Sequence, residues 1–136
     1  MFISITYKAD KYCIMKETYG NEPEYKTGKI PTDVSDNRNI RFLYVLKKAI
    51  LPLKVEAPQE VVVIEGSNSH VIKWFNKGES IKEHEDSFSE VYDLLCEIPC
   101  RFAFEYNKKP KASKHLDEET QVEISSADSL LSMVDE

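Results

Sequence analysis

The sequence predicts an α/β fold, a mixed five-stranded sheet with helices on its faces. Three observations carry that prediction. Val61 to Ile64 is a run of four β-branched residues, short enough for a strand and apolar enough to be buried on both faces. Ahead of it, FISITY (Phe2 to Tyr7) and YCIMKET (Tyr12 to Thr18) read as strands joined by a short polar turn. On either side of the valine run lie segments with helical apolar stripes, Arg38 to Lys54 and Phe88 to Glu97. The resulting order is β-β-β-α-β-α-α-β, an antiparallel meander followed by alternating helices and strands.

Lys8 to Lys11 forms the first turn, and Tyr19 to Pro23 the second, with Gly20, Asn21 and Pro23 as punctuation. Glu24 to Ile30 completes the meander. After the polar stretch Pro31 to Asn37, Asp36 or Asn37 is placed to cap a helix. That helix carries Ile40, Leu43, Tyr44, Leu46, Ala49, Ile50 and Leu53 on one side, and Pro52 marks its termination or a kink. Glu65 to Ser69 is a turn of small polar residues after the valine strand, with Gly66 expected to permit its tightness. His70 to Lys77 is then a short helix with Val71, Trp74 and Phe75 inward. From Gly78 onward, GESIKEHEDS is polar and reads as loop. Ser87 is expected to cap Phe88 to Glu97, with Glu90 completing a capping box and Phe88, Val91, Tyr92 and Leu95 inward. Pro99 ends that helix, Cys100 to Tyr106 is the last strand, and Asn107 to Lys114 is a basic loop. Residues 1–116 are thus expected to form the domain, and 117–136 an acidic segment, either a terminal helix or an arm.

The chain has 136 residues, enough for one core, with 41% hydrophobic and 31% charged residues. Its net charge of −6 is concentrated late: residues 111–136 hold seven acids and two bases, so the body is near neutral. That argues against a strongly basic nucleic-acid binder. No apolar run is long enough to span a membrane, so no membrane association is expected. Cys13, Cys96 and Cys100 lack metal-ligand spacing and read as buried thiols of a reducing cytoplasm.

These segments resemble the ribonuclease H fold family. VVVIEGSNSHVIKWFNKGESIK looks like the family's fourth strand, catalytic turn and following helix. SFSEVYDLLCEIPCRFAFEY looks like the next helix and fifth strand, and NKKPKASKHLDEE like the closing loop and the start of the last helix. Upstream, SDNRNIRFLYVLKKAI is similar to the first long helix. The likeness is clearest from Glu60 to Glu119. It implies a cleft where four acids hold two divalent cations, one activating water and one stabilising the leaving oxygen. Hard cations such as Mg²⁺ need carboxylate oxygens there. Carried over residue by residue, the four positions fall at Thr6 or Tyr7, at Ile40 or Arg41, at Ser67 beside Asn68, and at Asp117. Only the last is an acid.

The expected function is therefore a catalytically degenerate module that acts by binding, most of all to a protein, as an inhibitor or adaptor, with no cofactor. One alternative is a divergent nuclease, dependent on Mg²⁺ or Mn²⁺, that reassembles a cage from Asp10, Glu65 and Asp117. Another is a non-cleaving nucleic-acid binder using Lys8, Lys11, Lys108, Lys109, Lys111 and Lys114, which the resemblance places on loops bordering the substrate face. Leu130, Leu131, Met133 and Val134 form an apolar cluster suited to a protein partner. His70, His84 and His115 are candidate acid–base groups, each also at home in a solvated segment. Ser67 and Ser69 lack the G-x-S-x-G pattern of a nucleophile elbow. Trp74 reads as core rather than as a base-stacking platform.

Overall fold

A computed structural model describes residues 1–56, 58 and 60–118. The five strands are β1 (Phe2–Lys8), β2 (Lys11–Glu17), β3 (Glu24–Lys29), β4 (Val62–Gly66) and β5 (Phe102–Tyr106). They form one sheet in the order β3-β2-β1-β4-β5. The first three pair antiparallel, while β1–β4 and β4–β5 pair parallel. The sheet is mixed as the sequence predicts, with β1 and β4 among its interior strands.

The helices are α1 (Arg38–Ile50), α2 (Leu53–Glu56), α3 (Ser69–Lys77), α4 (Glu85–Glu97) and α5, which is helical over 111–118. Asn37 caps α1: its side-chain oxygen accepts from the N–H groups of Asn39 (2.9 Å) and Ile40 (3.3 Å). Asn68 caps α3 in the same manner, accepting from Val71 N–H at 3.1 Å. Gly78 closes α3 in the left-handed region (φ 79°), where a side chain is unfavourable.

The alternation along β1 sorts two cores. Ile3 and Ile5 join Ile14, Phe42, Leu46, Ile64, Val71 and Phe88 in the main core between sheet and helices. On the opposite face, Cys13 and Met15 pack with Ala112 and Leu116 of α5 in a smaller core. Trp74 lies in the main core, as expected.

The break expected at Pro52 is present: the first helix stops at Ile50, and a separate turn, α2, follows Pro52, whose ring cannot sit inside a continuous helix. Several other local expectations differ from what forms. Ser87 does not cap α4. A 3₁₀ turn (Lys82–His84) feeds straight into a helix starting at Glu85, and Glu85 and Asp86 put acids in the first turn, where the helix dipole favours them. Tyr92 is partly exposed, and Leu94 takes an inward place on α4 beside Leu95. Cys96 is exposed on the outer side of α4, so of the three free thiols only Cys13 is buried. Desolvation pushes the half-exposed Cys100 thiol above its ordinary value, which disfavours its reactive thiolate. The basic loop after β5 is shorter than expected, because helix α5 begins at 111. It continues past residue 116 to 118.

Candidate functional site

Parallel strands β1 and β4 end on the same side of the sheet, and β5 ends beside them. Side chains at those ends, and on the loops that leave them, meet in a cleft. Two cavities make it up, and both are lined by Tyr7 and Ser67.

The larger cavity, about 850 Å³, lies between the end of β1 and the β5–α5 connection. Five lysines line it (Lys8, Lys108, Lys109, Lys111, Lys114) against three acids (Glu17, Asp117, Glu118), so its wall is net positive. Met15, Tyr25, Pro110 and Leu116 supply its apolar part. The smaller cavity, about 350 Å³, is lined by Tyr7, Arg38, Ser67, Asn68, Ser69, His70 and Tyr106, with one guanidinium and no carboxylate. Lys11 stands opposite Lys8 in the β1–β2 register and opposite Lys29 in β2–β3, one strand away from these walls.

The four positions singled out in the sequence are each engaged in neutral or cationic contacts or lie open at the cleft. Thr6 is buried, and its hydroxyl receives a hydrogen bond from Ser113 at 3.3 Å. The Tyr7 hydroxyl donates to the Arg38 carbonyl at 3.0 Å. Burial pushes the Tyr7 phenol above its ordinary value, while the nearby Arg41 and Arg38 guanidinium groups pull it down. Arg41 donates to the Ala9 carbonyl at 2.6 Å and to the Ser35 carbonyl at 3.4 Å. The first of these bonds holds the tight turn, where Ala9 has a left-handed φ of 56°. Ser67 opens onto both cavities, and Asp117 lies exposed on the rim of the larger.

Glu65 points to the α5 side of the sheet, where its carboxylate meets the start of α5. It is only 7% exposed and accepts three hydrogen bonds. Ser4 donates its hydroxyl at 3.1 Å, Asn107 its amide at 3.0 Å and Lys111 its backbone N–H at 2.8 Å. Ser4 in turn accepts from the Ala112 N–H at 3.0 Å. Glu65 and Ser4 are direct cross-strand partners in β4 and β1. Together they cap the start of α5 from the sheet, taking up N–H groups that a helix start leaves without internal partners. A carboxylate there also suits the helix dipole. Asp10 sits in the β1–β2 turn, where its carbonyl accepts from Ile30 N–H at 2.6 Å. Among the described residues, no group of three or more His, Cys, Asp or Glu side chains could hold a metal ion. The residues present do not fit the two-cation centre that the fold family implies.

The histidines are dispersed. His70 lines the smaller cavity, His84 lies against Trp74 with ring centroids 5.8 Å apart, and His115 stacks on Tyr25 at 4.1 Å. Leu130, Leu131, Met133 and Val134 lie outside the described residues.

No protein-family model matches the chain. No curated protein matches it in sequence. Among solved structures it is similar to RNase H1 from the halophilic archaeon Halobacterium salinarum NRC-1, with a TM-score of 0.54 over 84% of this chain and 86% of that one, at 10% identity. This chain has a ribonuclease H-like fold. The ribonuclease H-like sheet is thus shared over most of both chains, while so low an identity leaves the chemistry of the cleft to be read from its own residues. Among the described residues, no helix of the ribonuclease H-like domain is long and apolar enough to cross a membrane.

Arg38 and Tyr106 are site residues that carry no functional signal in the sequence. Arg38 opens a predicted helix and Tyr106 ends a predicted strand, but only the sheet order brings both to one cavity.

Proposed function

We propose that this ribonuclease H-like domain binds a phosphate-bearing polymer in its cleft and does not cut it. The observation that carries this is the gathering of cations around the strand ends. By the family resemblance, Thr6 or Tyr7, Ile40 or Arg41, and Ser67 fall where the fold's cleaving members carry acids. Arg38, His70 and five lysines line the surrounding walls. A surface of that sign attracts a phosphate backbone and releases its counterions on contact. The same replacements remove the oxygen ligands that a pair of Mg²⁺ ions would need.

A protein partner, bound as inhibitor or adaptor, is the role that the sequence alone favours. It rests on the near-neutral body and on the apolar cluster beyond the described residues. The cleft favours the polyanion, because its cations converge while the apolar side chains exposed elsewhere, such as Tyr19 and Val55, are scattered.

The test is fluorescence anisotropy with a labelled RNA–DNA hybrid over a range of salt concentrations. Affinity is expected to fall steeply with salt. Reversing Lys108 and Lys109 to Glu should weaken binding at low salt by about tenfold or more and flatten the salt slope by roughly two, one for each phosphate left without its lysine. Salt-independent binding would remove the basis of the proposal. In parallel, millimolar Mn²⁺ should leave the melting temperature unchanged, since only a ligand that binds the native state raises it. Metal-dependent cleavage of the hybrid, abolished in Asp117→Asn, would establish the nuclease alternative instead.

A further inference from the structure

We infer that the acidic segment 119–136 occupies the lysine-lined cavity of its own chain and competes there with the polyanion. Three observations meet on this point. The first is charge. Residues 119–136 contain Glu119, Glu123, Asp128, Asp135 and Glu136 and no lysine or arginine. Lys8, Lys108, Lys109 and Lys114 are exposed on the facing wall, and no ion pair within the described residues engages their side chains.

The second is place. Asp117 and Glu118, the last described residues, themselves line the larger cavity. Residue 119 therefore leaves from the rim of the site it is assigned to fill. The 18 residues that follow could span up to about 60 Å when extended, far more than the cavity requires. A tethered segment of this length is present at an effective concentration on the order of millimolar, enough for weak contacts to hold it.

The third is surface chemistry. The cavity combines lysines with an apolar part whose exposed member is Tyr25, set over the buried Met15, Pro110 and Leu116. The segment combines acids with Val122, Ile124, Leu130, Leu131, Met133 and Val134. A nucleic-acid backbone would match the lysines alone, whereas this segment matches both parts. The lysines therefore serve two occupants of like charge, and the local one sets the threshold for the other.

The competition rests on the proposed polyanion binding, but the contact itself can be read without it. The experiment uses the full chain and a full-length variant with the five acids neutralised (Glu119→Gln, Glu123→Gln, Asp128→Asn, Asp135→Asn, Glu136→Gln). Brief amine acetylation followed by peptide mass spectrometry compares the cleft lysines with Lys26, Lys77 and Lys82 as references. Neutralisation should raise acetylation of Lys108, Lys109 and Lys114 several-fold while leaving the references unchanged. Equal reactivity in the two proteins overturns the inference. So does protection that grows with protein concentration, because the segment would then act between chains. In the anisotropy assay the neutralised variant should bind the hybrid about tenfold more tightly, as expected when an intramolecular competitor is released. If neither protein binds the hybrid while the lysines remain selectively protected, the polyanion proposal and the competition fail, and the contact of segment with cavity stands.

Discussion

Replacing Glu65 with Ala is expected to destabilise the fold by about 3 kcal/mol, because it leaves buried donors without an acceptor. The Asn107 amide and the Lys111 N–H lose the carboxylate that now receives them. Ser4 keeps only the bond it accepts from Ala112. Urea denaturation gives the measurement. Glu65→Gln should cost less, about 1 kcal/mol, the scale of a single missing hydrogen bond. One glutamine oxygen can still accept from Ser4 and Lys111, but the NH₂ group then faces the Asn107 amide. Turning Asn107 over would relieve that clash only by giving up its acceptance from the Lys109 N–H at 3.0 Å. The ordering Ala worse than Gln worse than wild type is the signature of a helix cap. A metal ligand behaves differently: in the absence of metal, removing one of several crowded carboxylates relieves repulsion and raises stability. Glu65→Ala at or above wild-type stability would therefore return this residue to the nuclease alternative. The variant should also loosen α5 and displace Lys111 and Lys114, so weaker hybrid binding is expected alongside the lower stability.

The cap explains why part of this site is legible in the sequence and part is not. The valine strand, the meander and the two long helices announce themselves through local periodicity, and Asn37 lies next to the helix it caps. The resemblance to ribonuclease H points to the strand ends, where the two cavities lie. The start of α5 cannot be read in the same way. Its apolar face has only Ala112 and Leu116, one turn apart in an otherwise polar stretch. Its capping carboxylate comes from 46 residues earlier in the chain. Glu65 sits where two neighbours, Gly66 and Ser67, are turn-forming residues, so sequence alone ties it to the catalytic turn. Strand alternation places it instead on the α5 face beside Ser4. Ser87 shows the opposite error. Its spacing to Glu90 matches a capping box, but the preceding 3₁₀ turn leads into a helix that starts two residues earlier.

Gly66→Ala is the second large effect, and its cause is packing rather than turn geometry. Gly66 is the last residue of β4, and it lacks the positive φ found at Gly20 and Gly78. A Cβ there would meet the edge of the Phe42 ring, lying 2.6 Å from Cε2 and overlapping Cζ. Phe42 is fully buried in the core under α1, so its ring has little room to withdraw. Overpacking of this kind costs about 2–3 kcal/mol, and a melting temperature lower by roughly 5–10 °C is expected. The double variant Gly66→Ala/Phe42→Leu separates the explanations. If the ring is the obstacle, the smaller side chain makes room for the new methyl group. The combined destabilisation should then fall short of the sum of the two single effects by about 1 kcal/mol or more, as residues in contact do. Strict additivity would mean that the backbone, not the ring, demands glycine. The distinction matters for the cleft, because Ser67 follows directly. Shifting the end of β4 to relieve Phe42 would displace Ser67, which lines both cavities, so a drop in hybrid affinity should accompany the clash and recover with Phe42→Leu.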